Sequence, residues 1–110
     1  MTEFTLARRY AVKRDGRNYV FGAVAMRSDG KLVYSRNIPN YEHNYRCHAE
    51  ARITRKCDVH CTIWVVRVSR ETGMLLNARP CRDCEKVMRM AGVKRCYYSI
   101  TEIEFGVIEF

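Results

Sequence analysis

The alternation of apolar and polar positions along the chain predicts strands and helices in a mixed order. Short apolar runs rich in β-branched or aromatic side chains indicate buried strands, and apolar residues spaced three or four apart indicate helices. Strands are predicted over residues 19–27, 31–36, 61–69, 94–100 and 104–110. Helices are predicted over residues 2–14, 48–57 and 81–91.

The order of these elements indicates an α/β fold. Strand, helix, strand, helix and strand follow one another in the middle of the chain, which implies right-handed crossovers between parallel strands and a sheet covered by helices. About three residues separate the last two strands, too few for a crossover helix, so these two are predicted to pair antiparallel. The prediction is therefore a five-stranded mixed sheet.

Length and composition exclude several classes of protein. The chain has 110 residues, 47% hydrophobic and 29% charged, which is ordinary for one globular domain and not for disordered or fibrous chains. The longest apolar run, residues 20–26, is far shorter than the ~20 residues of a membrane span. Basic residues interrupt the first twenty positions, so no export signal is predicted. We expect a single cytoplasmic domain over residues 1–110.

The charge is basic and unevenly distributed. The formal net charge is +8, and residues 1–99 hold all 20 basic residues against nine acidic ones, a charge of +11. The last eleven residues carry three glutamates and no basic residue. A basic surface attracts polyanions, although the same charge also serves plain solubility. The charge thus leaves RNA or single-stranded DNA open as a partner.

Four residues form a candidate chemical site. Cytosolic thiols stay reduced, so Cys81 and Cys84 are expected to bind a metal or act in redox chemistry rather than form a structural disulfide. Their spacing places both sulfurs on one side of a helix start. With His48 they offer one imidazole and two thiolates to a tetrahedral Zn²⁺, which leaves the fourth position for water. Glu50, two residues after His48, could carry the proton of that water.

A structural zinc site is the alternative. In that reading His48 is a surface or capping residue, and a further ligand comes from one of five other residues: His43, Cys47, Cys57, His60 or Cys61. It leaves Glu50 and Pro80 without a role. Cys57, His60 and Cys61 could also hold a second metal, but packing in the core is the favoured interpretation of these cysteines.

These motifs resemble the cytidine deaminase superfamily over about residues 19–100. His48-Ala49-Glu50 with Pro80-Cys81-Arg82-Asp83-Cys84 is the pattern of zinc nucleobase deaminases. Residues 19–25 resemble the first strand of the nucleoside cytidine deaminases, with its aromatic-x-x-Gly-Ala pattern. Asn37-Ile38-Pro39-Asn40 resembles their Asn-Val-Glu-Asn loop, and the spacing from Asn37 to His48 also matches.

The resemblance implies a three-layer α/β/α domain, one zinc ion and hydrolysis of cytosine to uracil with release of ammonia. Glu50 would protonate the ring nitrogen N3 and then the leaving amine. Substrate contacts are implied for Tyr19, Asn37, Ala49 and Pro80: the Ala49 backbone would hold an edge of the ring, Asn37 a sugar hydroxyl, and Tyr19 a wall of the pocket. Asn37 could instead only hold its turn, and Tyr19 only belong to the core.

Two departures from the family pattern bear on the substrate. Pro39 stands where the family has a glutamate that helps to hold the ribose, and His48 stands where many small members have cysteine. The leading hypothesis is a deaminase of a (deoxy)cytidine nucleoside or nucleotide, expected to be a homo-oligomer. The second is a deaminase of cytosine or adenine within RNA or single-stranded DNA, and the third a non-catalytic zinc or nucleic-acid-binding module.

Overall fold

A computed structural model describes residues 3–11, 19–36, 49–69 and 71–110. In this part of the chain the elements are, in order, α1 (Glu3–Ala11), β1 (Tyr19–Met26), β2 (Leu32–Arg36), α2 (Ala49–Thr54), β3 (Thr62–Ser69), β4 (Leu75–Leu76), α3 (Arg82–Met90), β5 (Arg95–Ser99) and β6 (Phe105–Glu109). All predicted strands are present, with ends shifted by at most one residue. α2 ends three residues earlier than predicted, and α3 begins one residue later and ends one residue earlier. Thr2, residues 12–14 and His48 lie outside the described residues.

The strands form one mixed sheet in the order β2-β1-β3-β5-β6. β1 is antiparallel to both β2 and β3, whereas β3 and β5 are parallel and β5 and β6 antiparallel. The parallel crossover and the final antiparallel hairpin are therefore confirmed. The five predicted strands form the main order of the sheet, and β4, which was not predicted, pairs with β3 as a sixth strand. Two residues are too few to show the alternation from which strands are predicted.

One face of the sheet is covered by α1. Ala7 and Ala11 of this helix pack on Val24, Val66 and Val68 of the central strands, and all five are almost fully buried. Small side chains on the helix allow its backbone to approach the sheet closely.

Gly22 in β1 is the point of closest approach between α1 and the sheet. A Cβ atom at this position would lie 2.2 Å from the Ala7 carbonyl oxygen and 2.7 Å from the Ala11 Cβ. Position 22 therefore requires glycine, because any side chain there would clash with α1. The glycine of the first-strand motif thus has a packing function on this face.

The opposite face is covered by α2 and α3. The alternating residues Ala23 and Ala25 of β1, with Ile63 and Val65 of β3, point to this side and pack with buried residues of both helices. The structure therefore has helices on both faces of the sheet, which confirms the three-layer arrangement.

None of the helices within the described ranges is long and apolar enough to cross a membrane.

Candidate active site

The topology brings the beginnings of α2 and α3 to the same edge of the sheet. β2, β3 and β5 all run in one direction, since β2 and β3 are each antiparallel to β1 and β5 is parallel to β3. The chain reaches α2 and α3 after leaving the carboxyl ends of β2 and β3. In open α/β sheets this edge is where ligands bind.

Cys81 is the N-cap of α3. Its backbone is extended, with φ −67° and ψ 166°, and its sulfur accepts a hydrogen bond from the backbone N–H of Cys84 at 3.4 Å. The helix therefore begins at Arg82, one residue later than predicted, and Pro80 lies just outside it.

The two cysteines of this motif differ in exposure. Cys84 is fully buried, whereas Cys81 is exposed and Pro80 is buried beside it. Both cysteines are free of disulfide bonds. One sulfur anchored in the core and a second at the surface suit a metal that is held rigidly and reached from solvent.

The loop that leads into α3 is tied to β5. The hydroxyl of Ser99, a fully buried residue, donates to the Leu76 carbonyl at 2.7 Å, and the Ala78 N–H donates to the Ser99 carbonyl at 2.8 Å. These bonds fix the residues immediately before Pro80. The position of the Cys81 sulfur is therefore set by the sheet as well as by the helix.

Ala49 and Glu50 begin α2. Ala49 is fully buried in the same core cluster as Cys84, and α2 and α3 pack against each other on this face of the sheet. The hydroxyl of Ser35, 1% exposed, donates to the Ala49 carbonyl at 2.6 Å and ties the helix start to β2. A guanidinium nitrogen of Arg52 donates to the Arg36 carbonyl at 2.8 Å and forms a second hydrogen bond between α2 and β2.

Several predicted residues cannot be placed. His48 and Asn37 lie outside the described residues, as do Pro39 and the alternative ligands His43 and Cys47. The backbones of Tyr19 and Glu50 lie at the beginnings of β1 and α2, but their side chains are not described. Of the predicted site, the structure thus places Pro80, Cys81, Cys84 and Ala49.

Among the described residues, the site provides two sulfur atoms as metal ligands, those of Cys81 and Cys84, and no third donor. No group of three histidine, cysteine or acidic side chains close enough to hold a metal occurs among them. A further ligand to Cys81 and Cys84 would therefore come from another part of the chain, which is where the sequence places His48. Two sulfurs at a helix start fit Zn²⁺, which prefers thiolate and imidazole donors.

Cys57 and Cys61 form a separate pair. The two thiols share a hydrogen bond, and this bond together with burial holds the pKa of Cys57 above its ordinary value. His60 is exposed and has a positive φ of 71°. Cys61 is fully buried in the core cluster on the α2 and α3 side, and Cys57 packs against it, as in the packing interpretation of these cysteines.

Two residues near the site were missed by the sequence analysis. Ser35 positions the first residue of α2, and Arg79, directly before Pro80, donates to the Tyr98 hydroxyl at 2.9 Å. Arg79 could have been noticed as a cation next to the cysteine motif. Ser35 has no comparable signal, because a serine in a strand does not reveal its hydrogen-bond partner.

Comparison with known proteins agrees with this geometry. The family model described as the cytidine and deoxycytidylate deaminase zinc-binding region matches residues 1–100. A cytidine deaminase from Burkholderia pseudomallei has the same fold, with a TM-score of 0.68, 21% identity and coverage of 99% of this chain and 93% of that one. A mutant cytidine deaminase from Mycobacterium tuberculosis gives a TM-score of 0.57 and 19% identity, covering 87% of this chain and 80% of that one. No curated protein sequence matches the chain.

The match to the family model extends over nearly the whole chain and includes both halves of the motif. The pair of sulfurs at the start of α3 and the helix start that follows His48 are consistent with a zinc-binding region. The family also accounts for the three-layer fold with its final antiparallel hairpin. The chain belongs to the cytidine and deoxycytidylate deaminase family, whose cofactor is Zn²⁺.

Proposed function

We propose that the protein is a hydrolytic deaminase that converts cytosine to uracil in a (deoxy)cytidine nucleoside or nucleotide. The observation that carries the proposal is that the helices beginning at the two halves of the motif, α2 at Ala49 and α3 after Cys81, start at the same edge of the sheet and pack against each other. Ala49 stands between His48 and Glu50 in the sequence. A binding module would have no need of a proton carrier at Glu50.

Zn²⁺ would be held by His48, Cys81 and Cys84. When bound, it supplies Lewis-acid activation of the attacking water. Glu50 accepts a proton from this water and delivers it to N3 of the ring, and a second proton then reaches the leaving amino group. The C4–N bond breaks, a C4–O bond forms, and one water is consumed for each ammonia released.

The backbone of Ala49 is suited to hold one edge of the ring. Its carbonyl accepts the Ser35 hydroxyl, whereas its N–H belongs to the first turn of α2, where a helix provides no partner of its own. The N–H is therefore the group that would donate to the carbonyl oxygen of cytosine. Asn37, Tyr19 and Pro80 complete the proposed substrate contacts, with Asn37 toward a sugar hydroxyl.

An assay of ammonia release tests the proposed reaction. Zinc-loaded protein is incubated with cytidine, deoxycytidine or deoxycytidylate, and the ammonia and the uracil-containing product are both quantified. We expect equal amounts of the two products from at least one of these substrates. Protein that contains zinc and releases no ammonia from any of them, or from a cytosine-containing oligonucleotide, would refute the deaminase assignment.

The ligand role of Cys84 predicts selective loss of zinc. Cys84→Ser is expected to lower the zinc content of the purified protein severalfold, because serine is a poorer zinc ligand than thiolate. Cys96→Ser is the matched control, since Cys96 is equally buried in the same cluster but lies in β5. Metal analysis of both variants decides the question. Equal zinc in the two variants would remove Cys84 from the ligand set.

A further inference from the structure

A basic groove runs along the outer side of α3, beginning at the zinc motif. It has a volume of about 450 Å³ and is lined by Arg79, Pro80, Arg82, Glu85, Lys86 and Arg89, here called the α3 groove. Four of these side chains are cationic and one is acidic. Pro80 directly precedes Cys81 in the chain and Arg82 directly follows it, so the groove lies beside the cysteine motif.

The helical repeat explains why the cations share one side of α3. Cys84 and Met88 are fully buried and define the inner face of the helix. At 3.6 residues per turn, Arg82, Lys86 and Arg89 fall on the opposite face. From Arg82 to Arg89 the helix rises by seven steps, or about 10 Å along its axis at ~1.5 Å per residue.

Two of the cations are held in place by aromatic neighbours. The Arg79 guanidinium donates to the Tyr98 hydroxyl and also lies 5.5 Å from the centre of that ring. The Arg89 guanidinium lies 5.5 Å from the centre of the Phe110 ring. Aromatic rings do not neutralise a cation, so both arginines keep their charge for a ligand while their orientation is restricted.

Neutralisation by acidic residues is incomplete in the groove. Glu85 pairs with Arg89 at 3.4 Å, an exposed contact of little energetic value. Within the described ranges Arg82 and Lys86 have no acidic partner. Four cations against one carboxylate leave a strongly positive concave surface, which concentrates anions near it.

We propose that the α3 groove binds the phosphate backbone of a single-stranded polynucleotide and that the cytosine deaminated by this protein is carried on such a strand. The proposal rests on the deamination of cytosine proposed above, and it assigns as substrate a nucleotide within a strand in place of a free nucleoside or nucleotide. A mononucleotide presents one phosphate, which one or two cations satisfy. Cations spread from Arg79 to Arg89 match several consecutive phosphates instead. A single strand also offers its bases unstacked and accessible to the zinc motif.

Binding of a single strand without cytosine tests the proposal separately from catalysis. Fluorescence anisotropy is measured with a labelled oligothymidylate and zinc-loaded protein over a range of salt concentrations. Each phosphate contact contributes about −0.7 to the slope of log K against log salt for single strands. We expect Arg82→Gln/Lys86→Gln to reduce the magnitude of the slope by about 1.4 and to weaken binding at low salt by roughly tenfold.

Arg9→Gln/Lys31→Gln is the matched control, because it removes the same charge from exposed positions outside the groove. Its slope is expected to stay at the value of the unchanged protein. Zinc content is measured in both variants, since Arg82 lies between the two cysteines. Equal slopes in the two variants at equal zinc content would overturn the proposal. Equally strong competition by thymidine monophosphate and by oligothymidylate would also overturn it, since the groove would then hold a single phosphate.

The two proposals can fail separately. Ammonia release from free cytidine without salt-dependent strand binding would leave the deaminase assignment intact and refute the strand. The opposite result is a protein that binds a strand through Arg82 and Lys86 in a salt-dependent way but releases no ammonia. This result would establish the groove as a strand-binding site and refute the deamination reaction. It would also refute the assignment of the strand as the substrate.

Discussion

Replacing Glu50 with alanine is expected to lower the rate of ammonia release by about 10²- to 10⁴-fold while zinc stays bound. Glu50 is the second residue of α2 and directly follows Ala49, the buried residue that shares a cluster with Cys84. Without the carboxylate no group carries a proton from water to N3 and then to the amine. The measurement is the steady-state rate per zinc-loaded protein, together with the zinc content.

Two further variants make this result specific. Glu50→Gln preserves the size of the side chain but not its ability to exchange protons, so it should be nearly as inactive as the alanine variant. Glu71→Ala removes a carboxylate from an exposed turn and should retain full activity. If Glu50→Ala kept most of its ammonia release at unchanged zinc content, the proton-carrier role would have to be abandoned.

Replacing Gly22 with alanine is expected to destabilise the fold by about 1–3 kcal/mol, in the range of overpacked cores. The added Cβ would lie 2.2 Å from the Ala7 carbonyl oxygen, a backbone atom that moves only if α1 moves. Urea denaturation should show a lower midpoint at an unchanged slope. Gly22→Val should lower the midpoint further, because two more methyl groups enter the same contact.

The same substitution should leave the chemistry of the folded protein intact. α1 covers the face of the sheet opposite to α2 and α3, so the zinc content of folded Gly22→Ala is expected to match that of the unchanged protein. A variant as stable as the original would show that the helix can move away from β1 at no cost, contrary to the packing described above.

Much of the fold could be predicted because the chain obeys simple periodicities. β3 alternates buried and half-buried residues, and α3 buries Cys84 and Met88 at a spacing of four. β4 was missed because its two residues pair only through the hairpin that returns from β3. The ends of α2 and α3 were overestimated because apolar spacing continues past the last hydrogen-bonded turn.

The candidate site was predictable only in part. The residue types and spacing of the two motifs pointed to a zinc deaminase, and the structure places both at one edge of the sheet. The supports of the site depend on contacts between residues distant in sequence, such as Ser35 with Ala49 and Ser99 with Leu76. No periodicity or local pattern encodes such pairs. The roles of His48 and Asn37 remain predictions of the sequence.

The position of the Arg79 side chain depends on a residue of β6, the last strand. Tyr98 lies opposite Gly106 in the β5–β6 pairing, and a Cβ on Gly106 would fall 2.4 Å from the Cζ atom of the Tyr98 ring. The absence of a side chain in β6 is therefore what allows the phenol to lie flat and hold the guanidinium beside the cysteine motif. Substitutions in the final hairpin can therefore change the substrate preference of this protein, even at positions that do not contact the substrate.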